Sequence, residues 1–471
     1  MSDDDTYDVI VIGAGPVGEN VADRTAAAGL RTVIVESELV GGECSYWACI
    51  PSKALLRPAA ALSGARSVAG AREAVGDRRV DAAAVLARRD AFVGDWQDDG
   101  QVSWLDSVGV ELVRGHGRLV GPRRVEAAGR TLTARHAVVV CTGSRAVVPD
   151  LPGVASARPW TSREATGSRK VPGRLAIVGG GVVGAEMAAA WSALGSRVTL
   201  LIRGERPLPR MEPFAGDLVA DGLRASGVDV RTGVSVTAVD RKDGPVEITL
   251  DHGDPVTADE VLFATGRAPR TDDLGLETVG LEPGSWLEVD DTLRVAGVPD
   301  GWLYCAGDPN HRALLTHQGK YQARIAGAAI AARAADRPVD EAPWGPFAAT
   351  ADHAAVPQAV FTEPEVAAVG LTLAAAEAAG HRCRAVDYDL GAVSGAALYA
   401  DDYRGRARMV VDLDDERLLG VTFVGPGAGE LLHAATIAVA AEVPLPRLWH
   451  AVPAFPTTNE IWLRLLETYR G

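Results

Sequence analysis

The sequence predicts an α/β fold made of two nucleotide-binding domains of Rossmann type and a C-terminal α+β domain. Three observations carry that expectation. A strand-length apolar run enters a glycine-rich turn near the N-terminus, the same arrangement returns in the middle of the chain, and the C-terminal part holds runs patterned as antiparallel strands. At 471 residues the chain is also too long for a single core.

The first unit opens with Tyr7-Asp8-Val9-Ile10-Val11-Ile12, which leads into Gly13-Ala14-Gly15-Pro16-Val17-Gly18 and an alanine-rich helical segment. A second strand, Thr32 to Val35, ends in Glu36. This is a full dinucleotide fingerprint. Gly13, Gly15 and Gly18 allow the tight turn and close backbone approach, a helix N-terminus faces the pyrophosphate, and Glu36 stands where an acid meets the ribose hydroxyls.

Next comes Gly41-Gly42-Glu43-Cys44-Ser45-Tyr46-Trp47-Ala48-Cys49-Ile50-Pro51-Ser52-Lys53. Cysteines five apart on an ideal helix would have Cα atoms roughly 8 to 9 Å apart, beyond the ~7 Å a disulfide tolerates. Pairing therefore needs a distorted turn, and Pro51 supplies one because it lacks the N–H that would bond the Trp47 carbonyl. The block reads as a redox-active dithiol; two buried, inert thiols are the alternative that this stretch alone leaves open.

Residues 57 to 105 read as helical, with a polar break at Gln97-Asp98-Asp99-Gly100, and the strand Ala137 to Val140 runs into Cys141-Thr142-Gly143-Ser144. After a linker at Pro149 to Pro152, Arg174 to Val178 enters Gly179-Gly180-Gly181-Val182-Val183-Gly184, a helix and the strand Val198 to Ile202. Ile202 occupies the place of Glu36, and Arg203, Arg206 and Arg210 follow it. Positive charge there accommodates a 2′-phosphate, so the second nucleotide reads as NADPH rather than NADH. Val261 to Arg267 repeats the strand-to-glycine pattern, and Trp302 to Cys305 ends in Ala306-Gly307-Asp308. Beyond Pro343 to Pro346, Arg408 to Leu413 and Leu418 to Val424 read as antiparallel strands. The domains are accordingly expected at 1–150 with 280–345, at 151–279 and at 346–471.

The formal charge of −15 argues against nucleic acid or an anionic membrane surface as the main partner. No apolar run reaches membrane-span length, and the acidic start is unlike a signal peptide, so a cytoplasmic protein is expected. Five cysteines, few and odd in number, suit a reducing compartment in which a disulfide is catalytic rather than structural. No metal site is read from the sequence.

These motifs in this order resemble the flavin-dependent pyridine nucleotide–disulfide oxidoreductases, which include dihydrolipoamide dehydrogenase, glutathione reductase and mercuric reductase. The resemblance spans nearly the whole chain and extends to Gly115-His116-Gly117 and to Pro357-Gln358-Ala359-Val360-Phe361-Thr362-Glu363-Pro364-Glu365-Val366. It implies FAD in the first domain, held by Gly13, Gly15, Gly18, Glu36, Gly42, Lys53, His116, Gly117, Thr142, Gly143, Asp308 and Thr316. NADPH or NADH would bind Gly179, Gly181, Gly184, Arg203, Arg210, Val236 and Gly266. It further implies a homodimer, with Cys49 beside the flavin, Cys44 as the interchange thiol and a Lys53–Glu186 ion pair. A helix N-terminus and a nearby cation would lower the thiol pKa values. Cys141, Cys305 and Cys383 match no redox position and read as packing residues.

One motif departs from the family. Members that exchange thiols carry a C-terminal His-Pro-Thr-x-x-Glu in which the histidine moves protons, whereas this chain has Phe455-Pro456-Thr457-Thr458-Asn459-Glu460. Glu460 is kept, Phe455 cannot take a proton, and His450 lies five residues earlier and reads as an ordinary helix-end histidine. Loss of a general base costs about 10² to 10⁴ in rate. The soluble transhydrogenases of the family also lack the histidine and carry tryptophan where Trp47 stands, but keep only the first cysteine. The leading expectation is an FAD-dependent NAD(P)H oxidoreductase that passes electrons through Cys44 and Cys49 to a disulfide or other small-molecule acceptor. The alternatives are a quinone reductase or transhydrogenase, or a flavoprotein sensor or scaffold without useful turnover.

Overall fold

In the computed structural model, residues 5–241 and 243–471 are described. They divide into two compact units, one running to Pro51 with Asp90–Val147 and Gly266–His353, the other holding Ser52–Arg89, Val148–Thr265 and Ala354–Gly471.

The first unit is built on parallel strands in the order Glu111–Arg114, Thr32–Glu36, Thr6–Ile12, Arg130–Val140 and Leu303–Cys305. Val11 is in register with Ile34 on one side and Val139 on the other. Both faces of this sheet are covered, which is why its strands are continuous apolar runs rather than alternating ones. Ile10, Ile12, Val33 and Val138 enter one core, whereas Val9, Val11, Ile34 and Val139 enter the other.

The second unit repeats the plan with Asp229–Thr232, Arg197–Ile202, Arg174–Val178 and Glu260–Phe263, all parallel. Its C-terminal part is a five-stranded antiparallel sheet in the order Pro357–Val360, Glu365–Gly370, Arg417–Gly425, Arg406–Asp412 and Cys383–Asp389. The closing helix, Glu460–Arg470, sets Trp462 edge-on to Phe423, with ring centroids 5.6 Å apart.

Two boundaries differ from the sequence reading. The return to the first unit begins before residue 280, because Arg267–Pro269 pairs antiparallel with Ser144–Ala146. Residues 52–89 group with the second unit, where Leu55, Leu56, Val85 and Leu86 share a core with Leu175, Met187 and Trp191. The fully buried Arg89 seals that packing by donating to the carbonyls of Thr166 and Ser168. The helical stretch itself is Cys49–Arg66, Ala71–Val75, Ala82–Phe92 and Asp99–Ser107, interrupted at Gln97 and Asp98.

The two glycine turns are near copies. Gly13 has φ +101°, and a Cβ there would lie 2.4 Å from the Cys141 carbonyl oxygen; Gly179 has φ +117° and would approach the Ala264 oxygen to 2.3 Å. A Cβ on Gly18 would sit 1.9 Å from the Gly13 oxygen, and one on Gly184 1.9 Å from the Gly179 oxygen. Gly15 and Gly181 face open space, with nothing within 4 Å of an added Cβ. Thus the first and third glycines serve the fold, while the second leaves the backbone approachable. Gly18→Ala should lower the denaturation midpoint of the apoprotein, and Gly15→Ala should leave it within about 1 kcal/mol of the parent; equal loss in both variants would contradict this division.

Candidate active site

The dithiol is shaped by a break between two helices. Gly42–Tyr46 ends at Trp47, whose φ −136° and ψ 0° leave the helical region, and a new helix runs from Cys49 to Arg66. This is the distortion that cysteines five apart require. Pro51, expected from the sequence to supply the distortion, does not: it falls in the first turn of the second helix, where a missing N–H removes no intrahelical bond, and the break lies at Trp47.

Both cysteines are present as thiols, and Cys44 shares a hydrogen bond with Cys49. Cys49 Sγ lies 3.3 Å from Thr316 Oγ1. Cys49 opens its own helix and Thr316 opens the 19-residue helix Thr316–Ala334, so two positive helix ends converge on this sulfur. The downward shift expected of the thiols is not found at Cys44. Its hydrogen bond with Cys49 and then its burial push this thiol up, because a proton held between two close sulfurs is hard to remove once the partner is ionised. Burial pushes the Cys141 thiol up to about 12 and raises Cys305 well above the ordinary thiol range, in keeping with packing roles.

In the second unit, Lys53 Nζ lies 2.7 Å from Glu186 Oε2. Glu186 is 3% exposed, and its other oxygen accepts from the Phe361 N–H at 3.1 Å. Lys53 also lies over the Phe361 ring, 4.9 Å from its centroid. The carboxylate is therefore satisfied on both oxygens and the ammonium is held in one place.

Around the first glycine turn, Glu36 accepts from the backbone N–H of Ala14 and of Glu38, each at 2.7 Å. Gly42 abuts Gly15, where a Cβ would come within 2.8 Å of the Gly15 Cα. Gly117 packs against Ile12 and Val35, leaving a Cβ only 3.0 Å from the former. His116 Nε2 is 2.8 Å from the Asp273 carbonyl. Beside Gly143, which has φ +71°, the Thr142 hydroxyl is buried and has no hydrogen-bond partner among the described residues. Asp308 accepts from the Ser144 hydroxyl, which itself accepts from Arg267 Nε at 2.6 Å.

At the second turn, Arg206 is engaged by Asp217 at 3.0 Å and lies along the helix Pro213–Ala225. Arg203 and Arg210 are exposed and make no ion pair among the described residues. Val236 opens a strand of a small antiparallel sheet, and Gly266 has φ +147° with open space around it. The orphaned Thr142 hydroxyl and the open backbone at Gly15 fit FAD, and the open backbone at Gly181 fits a pyridine nucleotide.

The C-terminal motif separates. Glu460 is buried and accepts from the Gly395 N–H at 3.0 Å, whereas Phe455 is 75% exposed and Val452 is 85% exposed. His450 is exposed. Sequence reasoning missed Ser144 and Arg267 as partners of Asp308, and it missed the 2.8 Å pair between Glu43 and Arg270. Arg267 and Ser144 lay within quoted motifs, but nothing local tied them together.

A family described as pyridine nucleotide-disulphide oxidoreductase matches residues 7–334, and its dimerisation domain matches residues 356–465. The chain is 32% identical to dihydrolipoyl dehydrogenase of Thermus scotoductus over 465 residues, covering 97% of this chain and 95% of the relative. It is 30% identical to glutathione reductase of Burkholderia cepacia over 463 residues, covering 98% of each. With mercuric reductase of Staphylococcus aureus it shares 29% identity over 439 residues, 93% of this chain and 77% of the relative. Among solved structures, HOCl-induced flavoprotein disulfide reductase RclA from Escherichia coli matches with TM-score 0.82 and 23% identity, covering 98% of this chain and 99% of that one, a likeness of fold. Among the described residues no helix is long and apolar enough to cross a membrane, and no group of three or more His, Cys, Asp or Glu side chains is arranged to hold a metal ion.

Removing the lysine from the buried pair should be costly because Glu186 would keep its charge and lose its cation. Lys53→Met should destabilise the protein by about 2 kcal/mol, discounted for the partial exposure of Lys53, and Glu186→Gln in the same chain should recover most of it. Denaturant unfolding of the single and double variants measures both; additive losses would contradict the pairing.

Proposed function

The chain belongs to the pyridine nucleotide-disulphide oxidoreductase family, and we propose that it uses NADPH to reduce the Cys44–Cys49 pair, which passes electrons to a disulfide or another small acceptor. As a member it is an FAD-dependent oxidoreductase that works with a pyridine nucleotide, and its dimerisation domain makes it a homodimer. When bound, FAD supplies the two-electron centre between nicotinamide and dithiol. In this reading Gly13, Gly15, Gly18, Glu36, Gly42, Thr142, Gly143, Asp308 and Thr316 hold it, and His116 and Gly117 line the adenine end.

The observation that carries the proposal is the position of the Cys49 sulfur, 3.3 Å from Thr316 at the start of a long helix and hydrogen-bonded to Cys44. Two converging helix ends favour a thiolate at Cys49, and only the thiolate is nucleophilic. Cys44 holds the remaining proton of the reduced pair and is the thiol offered to the acceptor. A dithiol of this kind, with three further cysteines read as packing residues, suits the cytoplasm.

For the nucleotide, the support is that Asp217 engages Arg206 while Arg203 and Arg210 make no ion pair among the described residues. Two free guanidinium groups suit a 2′-phosphate, and no carboxylate stands at Ile202 to bind ribose hydroxyls.

Phe455 favours a second reading for the outward step alone. An exposed phenyl ring moves no proton, so the acceptor is one that needs none from that position, such as a quinone or a second nicotinamide.

Anaerobic titration of the FAD-loaded dimer tests the proposal. NADPH should deliver two electron pairs per subunit, one beyond the flavin, and the second should appear as alkylatable thiols at Cys44 and Cys49; uptake of a single pair would overturn it. Arg203→Glu with Arg210→Glu should reduce the kcat/KM preference for NADPH over NADH by about tenfold or more, and an unchanged ratio would remove the argument from the arginines.

A further inference from the structure

Arg210 sits at the crest of a short turn whose two ends are both fastened. The Met211 N–H donates to the Leu208 carbonyl at 3.0 Å, which closes a four-residue turn with Pro209 and Arg210 at its centre. Leu208 is buried, and its own N–H donates to the Gly180 carbonyl at 2.7 Å. The near end of the turn is therefore tied to the glycine turn of the second nucleotide fold. Leu208 holds φ +55°, a left-handed conformation that costs a residue with a side chain, so this end keeps its shape only while its surroundings enforce it.

The far end runs straight into Glu212, which is 2% exposed and precedes the helix Pro213–Ala225. Both of its carboxylate oxygens are bound from the C-terminal antiparallel part of the unit. Oε1 accepts from the Leu373 N–H and Oε2 from Arg408 Nη1, each at 2.8 Å. Arg408 lies on the strand Arg406–Asp412, 196 residues from Glu212 along the chain. Its remaining donors, Nε and Nη2, meet the two oxygens of Asp387 at 2.8 Å each. The same guanidinium stands 5.4 Å from the centroid of the Phe214 ring, on the helix that Glu212 introduces. This side chain is used as a planar fork, a task for which the point charge of a lysine is no substitute.

We propose that Arg408 is a positioning residue for the pyridine nucleotide: through Glu212 it fixes the turn that carries Arg210, and so sets how strongly the loop selects a 2′-phosphate. Without Arg408 the Glu212 carboxylate would stay buried with a single printed donor lost from one oxygen, and the end of the turn would move toward water to recover that solvation. Arg210 would lose its aim. The glycine turn would not, because Gly179 donates to the Leu201 carbonyl at 2.9 Å and packs against the Ala264 carbonyl, neither of which involves the loop. The effect is therefore confined to the 2′-phosphate and spares the rest of the nucleotide. This inference rests on the NADPH reading above.

The test uses the FAD-loaded dimer and two probes, adenosine 2′,5′-bisphosphate and adenosine 5′-monophosphate, whose affinities are measured by titration calorimetry. The parent should bind the bisphosphate more tightly. Arg408→Met should lower the ratio of the two affinities about fivefold or more, with the monophosphate affinity within about twofold of the parent. Glu212→Gln, near-isosteric and able to keep the Leu373 bond, should lower the ratio about threefold. The double variant separates positioning from stability. With the buried charge removed, Arg408→Met with Glu212→Gln should regain the denaturation midpoint lost in Arg408→Met and still show the lowered ratio. A parental ratio in Arg408→Met, or a ratio that recovers together with the midpoint, overturns the inference. If Arg408→Met does not fold, Glu212→Gln decides alone, and a parental ratio in it is equally fatal. A parent without preference for the bisphosphate, or a preference that survives Arg203→Glu with Arg210→Glu, would instead defeat the NADPH reading itself.

Discussion

The close crossing of the helices Pro16–Ala27 and Thr316–Ala334 is the constraint on which the chemistry of the first unit depends. One helix carries the glycine turn and the other carries Thr316, and they meet where only hydrogen fits. A Cβ on Gly319 would intrude on Val17, one on Gly307 would come 3.1 Å from the same side chain, and one on Gly327 would lie 2.7 Å from Arg24 Cβ. A buried polar network then fixes the second helix along its length. Gln318 and Gln322 donate to the two oxygens of Asp352 at 2.7 and 2.9 Å, while Gln322 Oε1 accepts from Gly307 N–H and Asn310 at 2.7 and 2.8 Å. Every member of this core is satisfied, so the network rigidifies the turn before Asp308 instead of weakening it.

How much of this was legible depended on how local each signal was. The two glycine turns, the strands that feed them and the break at Cys44 to Cys49 are written in short contiguous stretches, and the sequence alone located them. The contacts that assemble the candidate site are not local: Cys49 and Thr316 are 267 residues apart, and Ser144 and Asp308 are 164 apart. No periodicity or spacing links such pairs, because the sheet order brings them together only after the crossover segments have packed. Residues 52–89 show the same limit from another side. Their helical pattern was plain, but the unit they join is decided by Arg89, whose buried guanidinium needs the carbonyls of Thr166 and Ser168.

In the C-terminal motif the buried Glu460 serves the packing of its own unit. Glu460 points inward and accepts from the Gly395 N–H, and Gly395 is so tightly placed that a Cβ would overlap the Thr457 backbone. The carboxylate therefore contributes to the fold whatever side chain stands at position 455. Retention of Glu460 is thus accounted for by packing and carries no argument about thiol exchange in this chain.

The two nucleotide folds share a backbone, and one side chain separates their uses. Glu36 ends the second strand of the first fold and binds the N–H of Ala14, the middle residue of that glycine turn. At the equivalent place in the second fold stands Ile202, an apolar side chain that offers no acceptor and fills the space instead: a Cβ on Gly180 would lie 2.9 Å from Ile202 Cγ2. Ala14 can therefore carry a methyl group where Gly180 cannot. The same exchange leaves the strand end of the second fold without a polar side chain. In the first fold the strand ends on a buried carboxylate held by two backbone donors, and in the second the nearest charged side chains are the arginines of the following loop.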